Sequence, residues 1–234
     1  MRKPVFVWDD SVVEGIVPPA MMDRLWSEGW RHFGKKFFRY SLMLSEGESK
    51  LDIVTPLRIQ LADFVMSKSQ RRICRKNEDL VCEFLPASFS EETTAMFHRH
   101  KTRFQDNVPE GLEDFLSDKP GIVPCECVEL QCRLEGRLIA VSYLDVGHNS
   151  VSSVYAMFEP EFSSRSLGIF TLLKELEWAQ KRGLKICYPG YATEGPSVYD
   201  YKKRFSPLES YDWADNVWLP LKNVSVEACE TSQT

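Results

Sequence analysis

The sequence predicts a mixed α+β fold, in which antiparallel strands feed a parallel strand, helix, strand unit. Three observations carry this expectation. Ser150 to Phe158 is rich in β-branched and aromatic residues and holds no charge, the composition of a buried strand. From Gly168 to Lys181, Ile169, Leu172, Leu173, Leu176 and Ala179 recur at three- and four-residue steps, the stripe of a helix packed on one face. Gly183 stops that helix, and Ile186, Cys187 and Tyr188 resume an extended apolar run, so the two strands are expected to be parallel.

The earlier elements follow in order. Pro18 and Pro19 open a helix whose Met21, Met22, Leu25 and Trp26 are expected to face a core, with Gly29 at its end. RHFGKKFFRYSLML and LDIVTPLRIQLADF read as extended segments joined through SEGESK. SKSQRRICRKNEDL reads as a short basic helix and VCEFLP as a strand. Ser88 to Glu91 has the S-x-x-E form of a capping box and opens a helix through EETTAMFHRHKTRF, and PEGLEDFLSD predicts a second short helix. CVELQCRL alternates Val128, Leu130, Cys132 and Leu134 with polar residues, a half-buried strand that turns at Glu135 and Gly136 into RLIAVSYLD. A further turn from Val146 to Asn149 leads into the strand at Ser150. This order of elements is that of the second half of a GNAT-type acyltransferase.

With 234 residues and 43% hydrophobic content the chain can bury a substantial core. Its net charge of −5 gives no global attraction to nucleic acid. The charge is uneven, however. Between Asp23 and Lys76 there are twelve basic and six acidic residues, with Trp30, Phe33, Phe37, Phe38 and Tyr40 interleaved. Such a patch suits phosphate contact and base stacking, although a solvated face with its aromatics in the core would read the same way. No run is long and apolar enough to span a bilayer, and MRKPVFVWDD lacks the apolar core and cleavage site of a signal peptide, so a cytoplasmic protein is expected.

The seven cysteines lack the paired spacing of zinc ribbons, and no metal site is expected. On one extended segment Cys132 would point away from Cys125 and Cys127, leaving reduced buried thiols. His98 and His100, two apart on a helix, cannot share a face and read as surface residues.

Two stretches carry the chemistry. SSRSLG, between the Ser150 strand and the following helix, leaves backbone N–H groups unpaired at a positive helix end, where an anionic or carbonyl oxygen can bind; a solvent-exposed turn is the plainer alternative. After Tyr191, ATEGPSVYDYKKRFSPLESYDW gathers hydroxyls and cations at Tyr199, Tyr201, Lys202, Lys203 and Arg204, beyond a strand's carboxyl end.

Four blocks resemble the aminoacyl-tRNA–protein transferases, the eukaryotic arginyltransferases and their bacterial leucyl- or arginyl-transferring relatives. They are GWRHFGKKFFRY, RIQLADFVMSKSQRRICRKNEDL, FEPEFSSRSLG and GYATEGPSVYDYKKRFSPLE, in the family's order from about Trp26 to Leu219. The resemblance implies a GNAT-like fold with a preceding partial GNAT-like half. That divides the chain into a basic, tRNA-contacting half over 1–86, an acyltransferase domain over 87–225 and a flexible tail over 226–234. It also implies transfer of arginine or leucine from aminoacyl-tRNA to the α-amine of a protein with an acidic first residue, marking it for degradation. The ester is already activated, so no cofactor is needed beyond the tRNA substrate, and a monomer is expected.

The implied roles are specific. Ser166, Leu167 and Gly168 would offer N–H groups to the terminal adenosine or the tetrahedral oxygen. Tyr201 and Lys202 would border the reacting centre, and Glu159 would take or orient the amine proton. Tyr191 and Tyr199 would line the substrate site, with Arg204 or Lys203 pairing with the acidic side chain. Lys68, Arg71, Arg72, Arg75 and Lys76, with Lys35 and Lys36, would hold tRNA phosphates. The chain departs from the family pattern at Glu159, Pro196, Tyr199 and Ser206, and it lacks the family's amino-terminal cysteine module. Ser206 stands where the family has Arg, which removes one cation from the acceptor pocket. Two other readings remain: an acyl-CoA-dependent N-acyltransferase on the same fold, and a catalytically degenerate binder of protein N-termini.

Overall fold

A computed structural model describes residues 7, 9–44, 51–104, 108–193, 195 and 200–221. The SEGESK turn, Pro196, Tyr199 and the tail lie outside them. The elements are β1 (Asp9–Val13), α1 (Pro19–Ser27), β2 (Arg31–Phe33), β3 (Lys36–Tyr40), β4 (Leu42–Leu44), β5 (Leu51–Gln60), α2 (Lys68–Lys76), β6 (Val81–Pro86), α3 (Glu91–Lys101), β7 (Glu126–Leu134), β8 (Arg137–Val146), β9 (Ser150–Phe158), α4 (Leu167–Lys181), β10 (Ile186–Thr193), β11 (Glu209–Asp212) and β12 (Val217–Pro220).

The main sheet runs β12-β11-β5-β10-β9-β8-β7-β6, with β4 paired to β5, and a small sheet has the order β1-β3-β2. β7, β8 and β9 are antiparallel and β9 pairs with β10 in parallel, as expected from the strand pattern. The expected boundary at residue 86 does not divide this sheet. β5 sits between β10 and β11, and β6 forms the far edge against β7. The apolar alternation in LDIVTPLRIQ, with Leu57 and Ile59 fully buried, is what commits this early segment to the common core.

Both faces of the sheet are covered, which is why β8 is buried along almost its whole length. On one face Leu172, Leu173, Leu176 and Ala179 of α4 pack with Leu57, Ile59, Leu144 and Val151. On the other, Met96 and Phe97 of α3 pack with Val141, Tyr143 and Met157. Each fully buried Leu or Phe contributes about 1.5–3 kcal/mol. Gly183, with φ 71°, ends α4 as its position predicts.

Four local expectations are corrected. The cap of α3 is Ser90 with Thr93 rather than Ser88 with Glu91, because the Ser88 N–H is drawn to Glu129 Oε2 of β7 at 3.1 Å. Only a single 3-10 turn, Leu112–Asp114, forms in PEGLEDFLSD. Met21 is exposed on α1, where Met22 and Trp26 supply the buried face. His100 is buried, sharing the α3 face of Thr93, Met96 and Phe97, and only His98 is at the surface.

Candidate active site

The parallel pairing of β9 with β10 is short. Ile186, Cys187 and Tyr188 pair with Ser150, Val151 and Ser152, after which β9 continues to Phe158 and β10 to Thr193 unpaired with each other. On its other side β10 shifts register against β5 between Cys187 and Gly190, a bulge that bends the strand and opens a wedge between β9 and β10.

Arg31 of β2 reaches into this wedge. Its Nη2 donates to the Ser153 carbonyl at 2.6 Å, on the first β9 residue past the last ladder pair. Lys202, in the 3-10 turn Asp200–Arg204, meets it at Gly190. A Cβ there would lie 2.8 Å from Lys202 Nζ and 3.0 Å from Arg31 Nη1, and the φ of 115° suits glycine, so the missing side chain lets both cations lie against the strand.

Glu175 of α4 completes the cluster. It is fully buried, and neither of its oxygens, nor Arg31 Nη1 or Ser142 Oγ, has a hydrogen-bond partner. Burial pushes its pKa up to about 7, opposed by Ser142, Ser153, Lys202 and Arg31. Burial pushes Lys202 down to about 7; the Arg31 charge adds to the fall, and Glu175 and Cys187 oppose it. Burial thus brings a carboxyl and an amine each to about 7 in one cluster. With all three groups ionised, two cations face one carboxylate.

The residues expected from sequence divide into three sets. Lys202 is in this cluster, and Tyr201 packs beside it on the main core. Tyr191, on β10, is committed to structure: its hydroxyl donates to the Gly29 carbonyl at 2.6 Å and its ring meets Phe38 and Tyr40 edge-on. Lys203 pairs with Asp200 at 2.7 Å, and Arg204 is exposed. Glu159 is buried and held by both Nε and Nη2 of Arg99, at 2.8 and 2.6 Å, one bond to each of its oxygens.

The second set surrounds the start of α4. Ser166, with φ 57° and ψ 43°, is the N-cap and makes no side-chain cap, so the first N–H groups of the helix at Leu167 and Gly168 are open to a ligand by the geometry common to helix starts. α2 is anchored to this loop. Lys76 Nζ donates to the Ser164 carbonyl at 2.6 Å and Asn77 Nδ2 to the Arg165 carbonyl at 3.0 Å, while Arg165 pairs with Asp79. The α2 capping box of Ser67 with Gln70 starts a helix on which Lys68, Arg71, Arg72, Arg75 and Lys76 are all exposed. Lys35 and Lys36 belong to a third place, the tip of the β2–β3 hairpin, where Lys35 pairs with Asp118 at 2.8 Å.

Arg31 and Glu175, which stand in this cluster, are not among the residues expected from sequence. Arg31 lies inside the GWRHFGKKFFRY block. Glu175 is three residues after Leu172 and four before Ala179, an acid on the apolar stripe itself, and that spacing is the available signal for a buried carboxylate.

The family described as arginine-tRNA-protein transferase, C terminus, matches residues 92–212. A protein of Stenotrophomonas maltophilia strain R551-3 named aspartate/glutamate leucyltransferase is 34% identical over 174 residues, covering 68% of each chain. A protein of the same name from Marinobacter nauticus is 30% identical over 198 residues, covering 83% of this chain and 80% of its own. Among solved structures, L-PGS from Bacillus licheniformis aligns with TM-score 0.44 and 14% identity over 76% of this chain and 52% of its own. A GCN5-related glucosamine N-acetyltransferase region of a fungal β-N-acetylglucosaminidase aligns with TM-score 0.41 and 15% identity over 74% and 21%. The matched span runs from α3 to β11 and takes in α4, its entry loop and the β9–β10 wedge, and on that evidence the chain belongs to the aminoacyl-tRNA–protein transferase family.

Proposed function

We propose that this chain transfers a leucyl group from leucyl-tRNA to the α-amine of a protein whose first residue is Asp or Glu. Donor and acceptor follow the name its relatives carry. The observation that carries the acceptor assignment is the Arg31 guanidinium at Gly190, whose Nη1 is buried without a partner. A carboxylate is the group that would complete it. Arg31 thus takes the part expected of Arg204, which is exposed, and Lys202 stands beside the α-amine.

In the reaction the neutral amine attacks the ester carbonyl carbon, the C–N bond forms, and the C–O bond to the terminal ribose breaks. The amine's proton ends on the ribose oxygen. Lys202, held near 7, can accept that proton and return it. N–H groups at the start of α4 would stabilise the tetrahedral oxygen or hold the terminal adenosine, and the exposed cations of α2 would hold acceptor-stem phosphates. The product carries a new N-terminal leucine, a tag for degradation. The cytoplasm is the natural compartment, where charged tRNA is found and where cysteines such as Cys125 and Cys187 stay reduced.

The test is transfer of label from tRNA charged with either leucine or arginine onto peptides starting with Asp, Glu or Ala, with acetyl-CoA run alongside. Leucine on the Asp and Glu peptides supports the reading. Arginine alone would replace the donor, and acetyl-CoA consumption without transfer from tRNA would overturn the reaction class.

A further inference from the structure

We infer that His32, Cys125 and Asp145 form a zinc site that pins the small sheet to the main one. The three residues come from separate parts of the chain: β2, the stretch leading into β7, and β8. All are buried, and their donor atoms lie within 4.8 Å of one another.

His32 Nδ1 is 3.0 Å from the Gly34 carbonyl, which can only accept, so Nδ1 carries a hydrogen and Nε2 is the ring nitrogen turned toward Asp145. Nε2 lies 2.7 Å from Asp145 Oδ2. The contact closes no hydrogen bond, and both atoms are left buried without one. A proton between the two would need no third donor, and the Cys125 sulfur within the same 4.8 Å is what points to a metal ion. Nitrogen, sulfur and carboxylate oxygen together suit zinc rather than magnesium or calcium, which take oxygen donors.

A cavity of about 10 Å³, the size of one small occupant, adjoins the cluster; His32, Asp145 and Cys127 border it and Cys125 is not part of its lining. Tetrahedral zinc with bonds near 2.0–2.1 Å sets nitrogen and oxygen about 3.3 Å apart, so His32 and Asp145 would part by roughly 0.6 Å to admit it. A water takes the fourth position. The spacing rule that separated Cys132 from Cys125 and Cys127 holds, since Cys132 faces Cys82 instead. A filled site would fix β2 to β8 one residue away from Arg31, and it would do so whichever reaction the chain performs.

The full chain, expressed with zinc in the medium, is assayed for metal by mass spectrometry, for the absorption of its cobalt-substituted form, and for melting with and without a strong chelator. We expect one zinc per chain, a tetrahedral cobalt spectrum with a thiolate charge-transfer band, and a melting temperature that falls with chelator and recovers with zinc. Cys125→Ser and Asp145→Asn are expected to lose the metal. Substoichiometric zinc, a cobalt spectrum without the thiolate band, or melting indifferent to chelator would overturn the site. Because these three readings come from the unaltered chain, the result stands even where a variant fails to fold.

Discussion

On the proposed mechanism, Lys202 and Glu175 tie the chemistry to pH at single-residue resolution. The rate constant kcat/KM is expected to rise with pH through about 7, as Lys202 loses its proton. Glu175 favours the charged amine, so Glu175→Gln should move that rise to lower pH, and Lys202→Arg, permanently charged, should lose about 10²–10⁴-fold in rate along with the rise. pH–rate profiles of the three proteins check this; an unmoved profile in Glu175→Gln contradicts the coupling. His100 sets a separate dependence, in stability. Burial lowers its pKa from 6.5 to about 4, with its ring among Phe104, Tyr155 and Phe158. The native state therefore refuses a proton that the unfolded chain accepts. Stability should hold above 6.5 and fall as the pH drops toward 4, by up to about 3 kcal/mol. Urea unfolding between pH 4 and 7 measures it, and His100→Gln is expected to flatten that acid-side slope.

At the scale of elements, α4 and α2 can be altered without disturbing the core. A Cβ at Gly168 would meet Phe158 Cε1 at 3.9 Å, an ordinary contact, so the fold accepts alanine and the helix gains up to about 1 kcal/mol. Gly168→Ala should melt no lower than the parent and still lose transfer activity, since the methyl group would stand where the donor approaches the helix start. Full activity would place the donor elsewhere. On α2, Arg72 and Arg75 are exposed, and replacing both with Ala should leave melting unchanged, weaken tRNA binding, and reduce the slope of log affinity against log salt by about 1–2. Filter binding across a salt series reads the slope. The elements were legible where periodicity was strong: β7 to β10 and α4 came directly from alternation and the apolar stripe. They were misread where a tertiary contact chose the start, as when Glu129 took the Ser88 N–H and moved the α3 cap to Ser90. His100 was misjudged because two histidines were weighed against each other instead of against the apolar face of their helix.

For the whole molecule, the family and its reaction were legible because four ordered blocks spread over most of the chain agree, far beyond any one motif. The site was only half legible. Lys202 and the α4 entry loop could be read from local sequence, whereas Arg31 acquires its place only when β9 and β10 splay and β2 delivers a side chain to Ser153. Sequence distance likewise hid the meeting of His32 with Cys125 and Asp145, and the paired role of Glu159 with Arg99. The division at residue 86 had no sequence signal against it, yet β5 lies inside the common sheet. The central claim, that Arg31 at Gly190 reads the acceptor's carboxylate, is tested most directly by leucyl transfer to two peptides that begin with Asp or with Asn, which match in shape and differ in charge. The parent chain should favour the Asp peptide by at least about tenfold in kcat/KM, a difference of about 1.4 kcal/mol, and Arg31→Met should abolish that preference. Equal use of both peptides by the parent, or an intact preference in Arg31→Met, would contradict it.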